Sequence, residues 1–195
     1  MYPISLDVTK IRIALVGHGD AFTRRLAALH EAGAQHVTAY TDLPHAHEIR
    51  QAHVLMVVGL DEETSAVLAG IARLQGILVN VEDNPDLCDF YFMSFVKRGD
   101  LALAVSTNGA SPTLAQEIKA YLTDTFGEEW EDTVAQIAAQ RLAWKREGLS
   151  NTVVGERSRA WLAVHAPAPL GHSEGMYPHP YSLPEGEGVD MQEHA

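Results

Sequence analysis

Apolar residues change their spacing along this chain, and the changes mark out its elements. Ile11 to Val16 is a short apolar run, interrupted only by Arg12, which predicts a buried strand. Phe22, Leu26 and Leu29 follow at helical spacing, with Gly33 as the helix stop. His36 to Tyr40 and Val54 to Val58 predict two further strands. Asp61 stands ready to cap the next helix, with Glu62 and Glu63 in its first turn, where the helix dipole favours carboxylates. Val67, Leu68, Ile71 and Leu74 form its apolar stripe, Gly76 closes it, and Ile77 to Val81 predicts a fourth strand. Near-continuous apolar strands alternating with helices predict an α/β, Rossmann-like parallel sheet covered on both faces. Only eleven residues separate Asp42 from Val54. A usual strand with its connecting helix does not fit there, so the sheet is expected to be shortened at an edge.

After residue 89 the pattern changes. Phe90 to Val96 and Leu101 to Ser106 read as two strands joined at Lys97-Arg98-Gly99-Asp100, a hairpin. Ser111 and Pro112 open a helix as cap and first-turn residue, and Leu114, Ile118, Tyr121, Leu122 and Phe126 make its stripe. Gly127 breaks it. A second helix is expected from about Glu128 to Glu147, with Trp130, Val134, Ile137 and Trp144 on one side, and a third from Glu156 to His165. Five of the nine prolines fall between Pro167 and Pro184, among glycines. Such a stretch buries too little apolar surface to offset its ordering entropy. The expected organisation is therefore a Rossmann-like domain over 1–89, a hairpin-plus-helix region over 90–126, a helical module over 127–166 and a disordered tail over 167–195.

The net charge of −12 argues against sequence-independent nucleic-acid binding, which rests on clustered Lys and Arg. Five of the acidic residues follow Arg159, after which no Lys or Arg occurs, so the body is only moderately acidic. The single cysteine, Cys88, excludes an intrachain disulfide, and a reducing, cytoplasmic compartment is expected. The N-terminus lacks a signal-peptide pattern, and no apolar run approaches the roughly 20 residues of a membrane span. His165, His172 and His179 recur every seven residues, which reads as tail composition rather than a metal site. His45, His47 and His53 read as surface residues of the shortened loop.

Gly17-His18-Gly19 sits where the first strand turns into the first helix. Glycine there permits a tight turn and close approach of a pyrophosphate to the helix N-terminus. Asp20 and Ala21 continue that turn. Asp42, with Leu43 beside it, lies just past the second strand, where a carboxylate can accept from ribose hydroxyls and repel a 2′-phosphate. These residues form the candidate cofactor set and favour NAD over NADP. A structural turn at Gly17–Gly19 and an Asp42–Pro44 turn explain the same residues without a ligand. Phe22 stands where a small residue is usual, and its ring is expected to push the helix away from the strand.

Two stretches are less generic: Asn80-Val81-Glu82-Asp83-Asn84-Pro85-Asp86-Leu87-Cys88-Asp89-Phe90, and Lys97-Arg98-Gly99-Asp100 through Leu101-Ala102-Leu103-Ala104-Val105-Ser106-Thr107-Asn108-Gly109-Ala110-Ser111-Pro112. In this order they resemble the precorrin-2 dehydrogenase / sirohydrochlorin ferrochelatase family, the N-terminal module of siroheme synthases. Tyr2-Pro3-Ile4-Ser5-Leu6-Asp7 is similar to the family's opening. The resemblance covers about residues 1–165. It implies NAD-dependent oxidation of precorrin-2 to sirohydrochlorin and, in bifunctional members, insertion of ferrous iron as a second substrate. It places the essential aspartate at Asp83, beyond the fourth strand, where open α/β sheets hold ligands and where a carboxylate can serve as general base. It also implies a homodimer built through the hairpin and helical region, for which the Trp130/Val134/Ile137/Trp144 stripe is a candidate.

Asn80, Ser106, Thr107, Asn108, Gly109 and Ser111 are the candidate substrate residues, the last five in a loop before a helix N-terminus. A substrate rich in carboxylates needs local positive charge, and Lys97, Arg98, Lys119, Arg141, Lys145 and Arg146 are the candidates. Cys88 is either a soft metal ligand or core. The chain departs from the family at His18, Phe22, Met93, Asn108 and the shortened segment after Asp42. Those departures gather on the cofactor side, so a non-redox tetrapyrrole- or nucleotide-binding protein, or a chelatase alone, is the rival reading.

Overall fold

The computed structural model describes residues 2–170; the expected tail beyond them, with His172 and His179, lies outside the described residues. The chain divides into two compact units at Phe92/Met93.

The first unit runs β1 (Arg12–Gly17), α1 (Gly19–Glu31), β2 (His36–Tyr40), α2 (Ala46–Ile49), β3 (Val54–Val58), α3 (Glu62–Leu74), β4 (Leu78–Val81) and one 3-10 turn, Pro85–Leu87. Its four strands are all parallel, in the order β2-β1-β3-β4. The apolar runs of β1 from Ile13 onward and of β3 are continuous because both strands are buried there on both faces. Ile13, Leu15, Val54, Met56 and Val58 meet Phe22 and Leu29 of α1 on one face. Ala14, Val16, Leu55, Val57, Val79 and Val81 meet Leu68, Ala69 and Ala72 of α3 on the other. Burial of each large side chain in this double core contributes about 1.5–3 kcal/mol.

Two expectations are corrected here. Phe22 does not wedge α1 away from the sheet: its ring is buried among Ile13, Leu15 and Met56 and fills the helix–sheet space. The short connection before Val54 is not bare loop. It forms α2, whose Ile49 is 1% exposed and enters the α3-side core. One turn anchored by one side chain leaves no periodicity to read. Asp61 caps α3 as expected, accepting from the Thr64 amide at 2.9 Å.

The second unit holds the antiparallel hairpin β5 (Ser94–Arg98) and β6 (Leu101–Val105), then α4 (Pro112–Thr125), α5 (Glu129–Arg146) and α6 (Asn151–His165). β5 begins four residues later than expected, because residues 90–92 are tied to the first unit's own turn, as described below. α6 starts at Asn151 rather than Glu156. Ser150 caps it, and Gly155 in its second turn obscures the helical pattern. Arg98 donates to the Thr123 and Phe126 carbonyls at the end of α4. The expected α5 stripe is partly core: Trp130 is 4% exposed, packs on Phe126 and donates through Nε1 to the Ala168 carbonyl. Residues 166–168 thus pack against α5, and the expected tail boundary at 167 falls within packed chain. His165 stacks on Trp161 and bonds its carbonyl through Nδ1. Among the described residues no helix is long and apolar enough to cross a membrane.

Candidate active site

The turn from β1 into α1 is shaped first by the fold. Gly17 has φ 143°, and a Cβ there would collide with the Val58 carbonyl of β3. Gly59, at φ 67°, makes the matching approach to the His18 carbonyl. These two glycines let β1 and β3 close side by side at their C-terminal ends. Gly19 is different: its φ of 75° favours glycine, and the space beside it is open. His18 is the extended N-cap residue of α1 and makes no side-chain cap bond, so no side chain occupies the first amides of the helix. His18, Gly19 and Asp20 are exposed and Ala21 is half-buried.

β1 and β2 run in register with Val16 opposite Tyr40. The chain therefore carries His18 and Asp42 past the same ends of adjacent parallel strands. Asp42 and Leu43 are exposed there, in the bend before α2. An open helix N-terminus, a glycine with free space and an exposed carboxylate over the neighbouring strand fit a dinucleotide without a 2′-phosphate.

Beyond β4 the chain makes a hydrogen-bonded turn. The Glu82 amide donates to the Val57 carbonyl at 2.9 Å, continuing the ladder. Asp83 follows in the left-handed region, φ 59°, and the Asn84 amide returns to the Val81 carbonyl at 3.4 Å. For a non-glycine residue that conformation is uncommon, and it leaves Asp83 exposed at the tip.

Cys88 fills the inside of this turn. Its Sγ accepts from the Val81 amide at 3.2 Å and lies 3.2 Å and 3.3 Å from the Val81 and Asn84 carbonyls. It is a loop fastener, and among the described residues no cluster of three or more potential metal ligands includes it.

Asp89 fastens the other end. It accepts from Arg73 Nε and the Val79 amide, both at 2.9 Å, and so occupies the open edge of β4. Asn80 is corrected: it is 6% exposed and donates to the Phe90 carbonyl at 2.9 Å, holding residue 90 against β4 rather than facing a ligand. The Tyr91 hydroxyl donates to the Pro85 carbonyl at 3.0 Å.

Arg25 is not legible in the sequence, where it sits on an ordinary helical face beside Arg24. It is half-buried on α1, with Nη2 3.9 Å from Glu82 Oε1 and its guanidinium carbon 4.1 Å from the centroid of the Phe92 ring. Desolvation pulls its pKa down, against the opposing pull of Glu82. Of the cations named from sequence, Arg98 spends its donors on carbonyls and Arg141 donates to Ser158; Lys97, Lys119, Lys145 and Arg146 are exposed.

The 106–111 loop of the second unit is largely self-satisfied. Ser106 Oγ accepts from the Asn108 amide at 3.1 Å. Thr107 Oγ1 donates to the Ser111 carbonyl and accepts from the Ser111 amide. Ser111 Oγ caps α4 through the Leu114 amide at 3.2 Å. Asn108 (φ 52°) and Gly109 (φ 81°) both take the left-handed region, which asparagine tolerates better than most residues. Both are exposed.

Comparison with known proteins falls on these same stretches. The family described as "Sirohaem biosynthesis protein central" matches residues 98–125, and that described as "Putative NAD(P)-binding" matches residues 37–94. Siroheme synthase of Methylococcus capsulatus is 31% identical over 157 residues, covering 70% of this chain and 33% of that protein. Siroheme synthase of Nitrosococcus oceani is 29% identical over 176 residues, covering 80% and 36%. The chain thus spans about a third of the length of these relatives. The solved structure of SirC, precorrin-2 dehydrogenase, superposes with a TM-score of 0.64 at 21% identity, covering 82% of this chain and 88% of that one. The chain is therefore similar to siroheme synthases over about a third of their length, shares the fold of SirC, and matches the sirohaem-biosynthesis central family over residues 98–125.

Proposed function

We propose that this chain oxidises precorrin-2 to sirohydrochlorin with NAD, using Asp83 as the general base. The co-occurrence of an NAD(P)-binding match over 37–94 and a sirohaem central match over 98–125 carries this reading. NAD, when bound, supplies a hydride acceptor. The backbone of Gly17, His18 and Gly19, with Asp20 and Ala21 of the first helical turn, would hold its pyrophosphate. Asp42 and Leu43 would receive its adenosine ribose. The macrocycle gives up a hydride and a proton, and the Asp83 carboxylate accepts the proton. The exposed tip at φ 59° puts that carboxylate outside the strand ends, on a turn that Cys88 and Asp89 hold from within.

The loop residues Ser106, Thr107, Asn108, Gly109 and Ser111 remain the proposed substrate contacts of the second unit, chiefly through the exposed backbone at Asn108–Gly109. Asn80 supports the turn instead. A homodimer is part of the reading. Leu114, Ile118 and Tyr121 leave an exposed apolar face on α4, at 51%, 36% and 68% exposure. Ferrous iron would enter as a second substrate. Its insertion strips pyrrole protons, which the same carboxylate is placed to take.

The test is turnover by the purified chain given precorrin-2 with NAD or with NADP. Appearance of NADH and sirohydrochlorin, faster with NAD, is expected. Tight binding of the macrocycle with no NADH formed would instead favour the non-redox reading, for which the altered glycine loop is the specific ground.

A further inference from the structure

Two arginines of the described residues are half-buried, and they are satisfied very differently. Arg98 donates to three carbonyls, of Lys97, Thr123 and Phe126, at 2.9–3.3 Å. Arg25 donates no hydrogen bond to any described residue. Its nearest anionic oxygen, Glu82 Oε1, is 3.9 Å away, beyond hydrogen-bond reach, and its side chain retains 22% of its exposure. A guanidinium carries five donors in a fixed fork, and partly buried donors are normally paired. Phe92 stacked at 4.1 Å fixes the plane of the fork, and Glu82 offsets its charge without taking its hydrogen bonds. Glu82 is also the residue directly before Asp83.

A planar, pre-oriented guanidinium with spare donors matches a carboxylate in bidentate fashion. We propose that Arg25 is a substrate-binding residue that receives one carboxylate of the macrocycle beside the Asp83 turn. This rests on the reading of the chain as a tetrapyrrole dehydrogenase, whose substrate is an organic polyanion. It gives the acidic first unit a cation next to the carboxylate that takes the proton. The pairing with Glu82 explains how that cation is kept in place before substrate arrives, and Phe92 keeps the fork from folding back into solvent.

The experiment compares Arg25→Gln and Arg25→Lys with the parent in the full chain. It measures sirohydrochlorin affinity by absorbance titration, precorrin-2 kinetics, NAD affinity and Tm. The Gln variant should raise the sirohydrochlorin Kd and the precorrin-2 KM by about tenfold or more, the worth of a charge-assisted hydrogen bond. Its kcat should stay within about twofold, since Arg25 takes no part in the proton transfer. NAD affinity should be unchanged, and the Lys variant should fall between parent and Gln. The parent's sirohydrochlorin affinity should also weaken more steeply with salt than that of the Gln variant.

An unchanged Kd and KM in the Gln variant overturns the proposal, as does a Lys variant no tighter than Gln. A loss of NAD affinity instead would assign Arg25 to the cofactor's phosphates. A fall in Tm with unaltered KM would leave it as a staple between α1 and Phe92. If the parent itself neither binds sirohydrochlorin nor turns over precorrin-2, the functional reading fails and this one with it; parental values in both variants sink only the role of Arg25.

Discussion

Asp42 is the residue proposed to choose between the two nicotinamide cofactors. Its carboxylate stands exposed past β2, beside the open N-terminus of α1. Asp42→Ala removes both the ribose acceptor and the charge that repels a 2′-phosphate. NAD affinity should fall about tenfold or more, and the preference over NADP should narrow. Titrating both cofactors against both proteins checks this, and equal affinities in the parent would contradict it. Asp86 and Asp89 flank the same turn with opposite roles. Asp86 is exposed and is the neutral control. Asp89 is not neutral, because its removal strands Arg73 and the Val79 amide. Asp89→Ala should cost about 1–3 kcal/mol in urea unfolding, while Asp86→Ala should cost nothing measurable. Neither the Asp89 clamp nor the Cys88 fastener is legible from the chain. Both depend on which backbone atoms the fold brings to those side chains, and their residue types are common in surface turns.

At the level of elements, what could be read was what periodicity dictates. β1, β3 and α3 announce themselves because the part of a strand buried on both faces must be apolar, and because Asp61 and two glutamates mark a helix start. That the sheet is parallel follows from strand–helix alternation, whereas its order β2-β1-β3-β4 is seen only in the structure. What could not be read depends on tertiary override. Residues 90–92 have strand-like composition, yet Asn80, Pro85 and Arg25 engage them from elsewhere in the first unit. Phe22 breaks a family pattern but satisfies a core, and only the packing shows that. Ser111 is legible as the cap of α4, and its Oγ accepts from the Leu114 amide. As the cap of α4 it should cost about 1 kcal/mol on replacement by alanine. Denaturation of Ser111→Ala measures that loss, and an unchanged midpoint would mean that the Leu114 amide finds another acceptor.

For the whole molecule, the exposed face of α4 is a better dimer candidate than the α5 stripe, whose Trp130 is already buried within the chain. A charge at Ile118 (Ile118→Glu) should convert dimer to monomer in sedimentation with little change in Tm. A monomeric parent at micromolar concentration would remove the dimer from the account. Cutting the chain after residue 170 should leave the fold intact, whereas cutting after 166 removes the Ala168 carbonyl that Trp130 uses and should lower Tm.

The proposed chemistry turns on one carboxylate. Asp83 sits at an exposed tip, one residue beyond Glu82 and two beyond the end of β4, with no other role evident in the fold. The most direct measurement is single-turnover oxidation of precorrin-2 by NAD, followed as NADH formation, in the parent and in Asp83→Ala. The parent should form NADH and sirohydrochlorin in equal amounts. The variant should keep the parent's Tm and NAD affinity and lose roughly 10²–10⁴-fold in rate, the usual worth of a positioned base. A folded variant that turns over at the parent's rate would contradict the account.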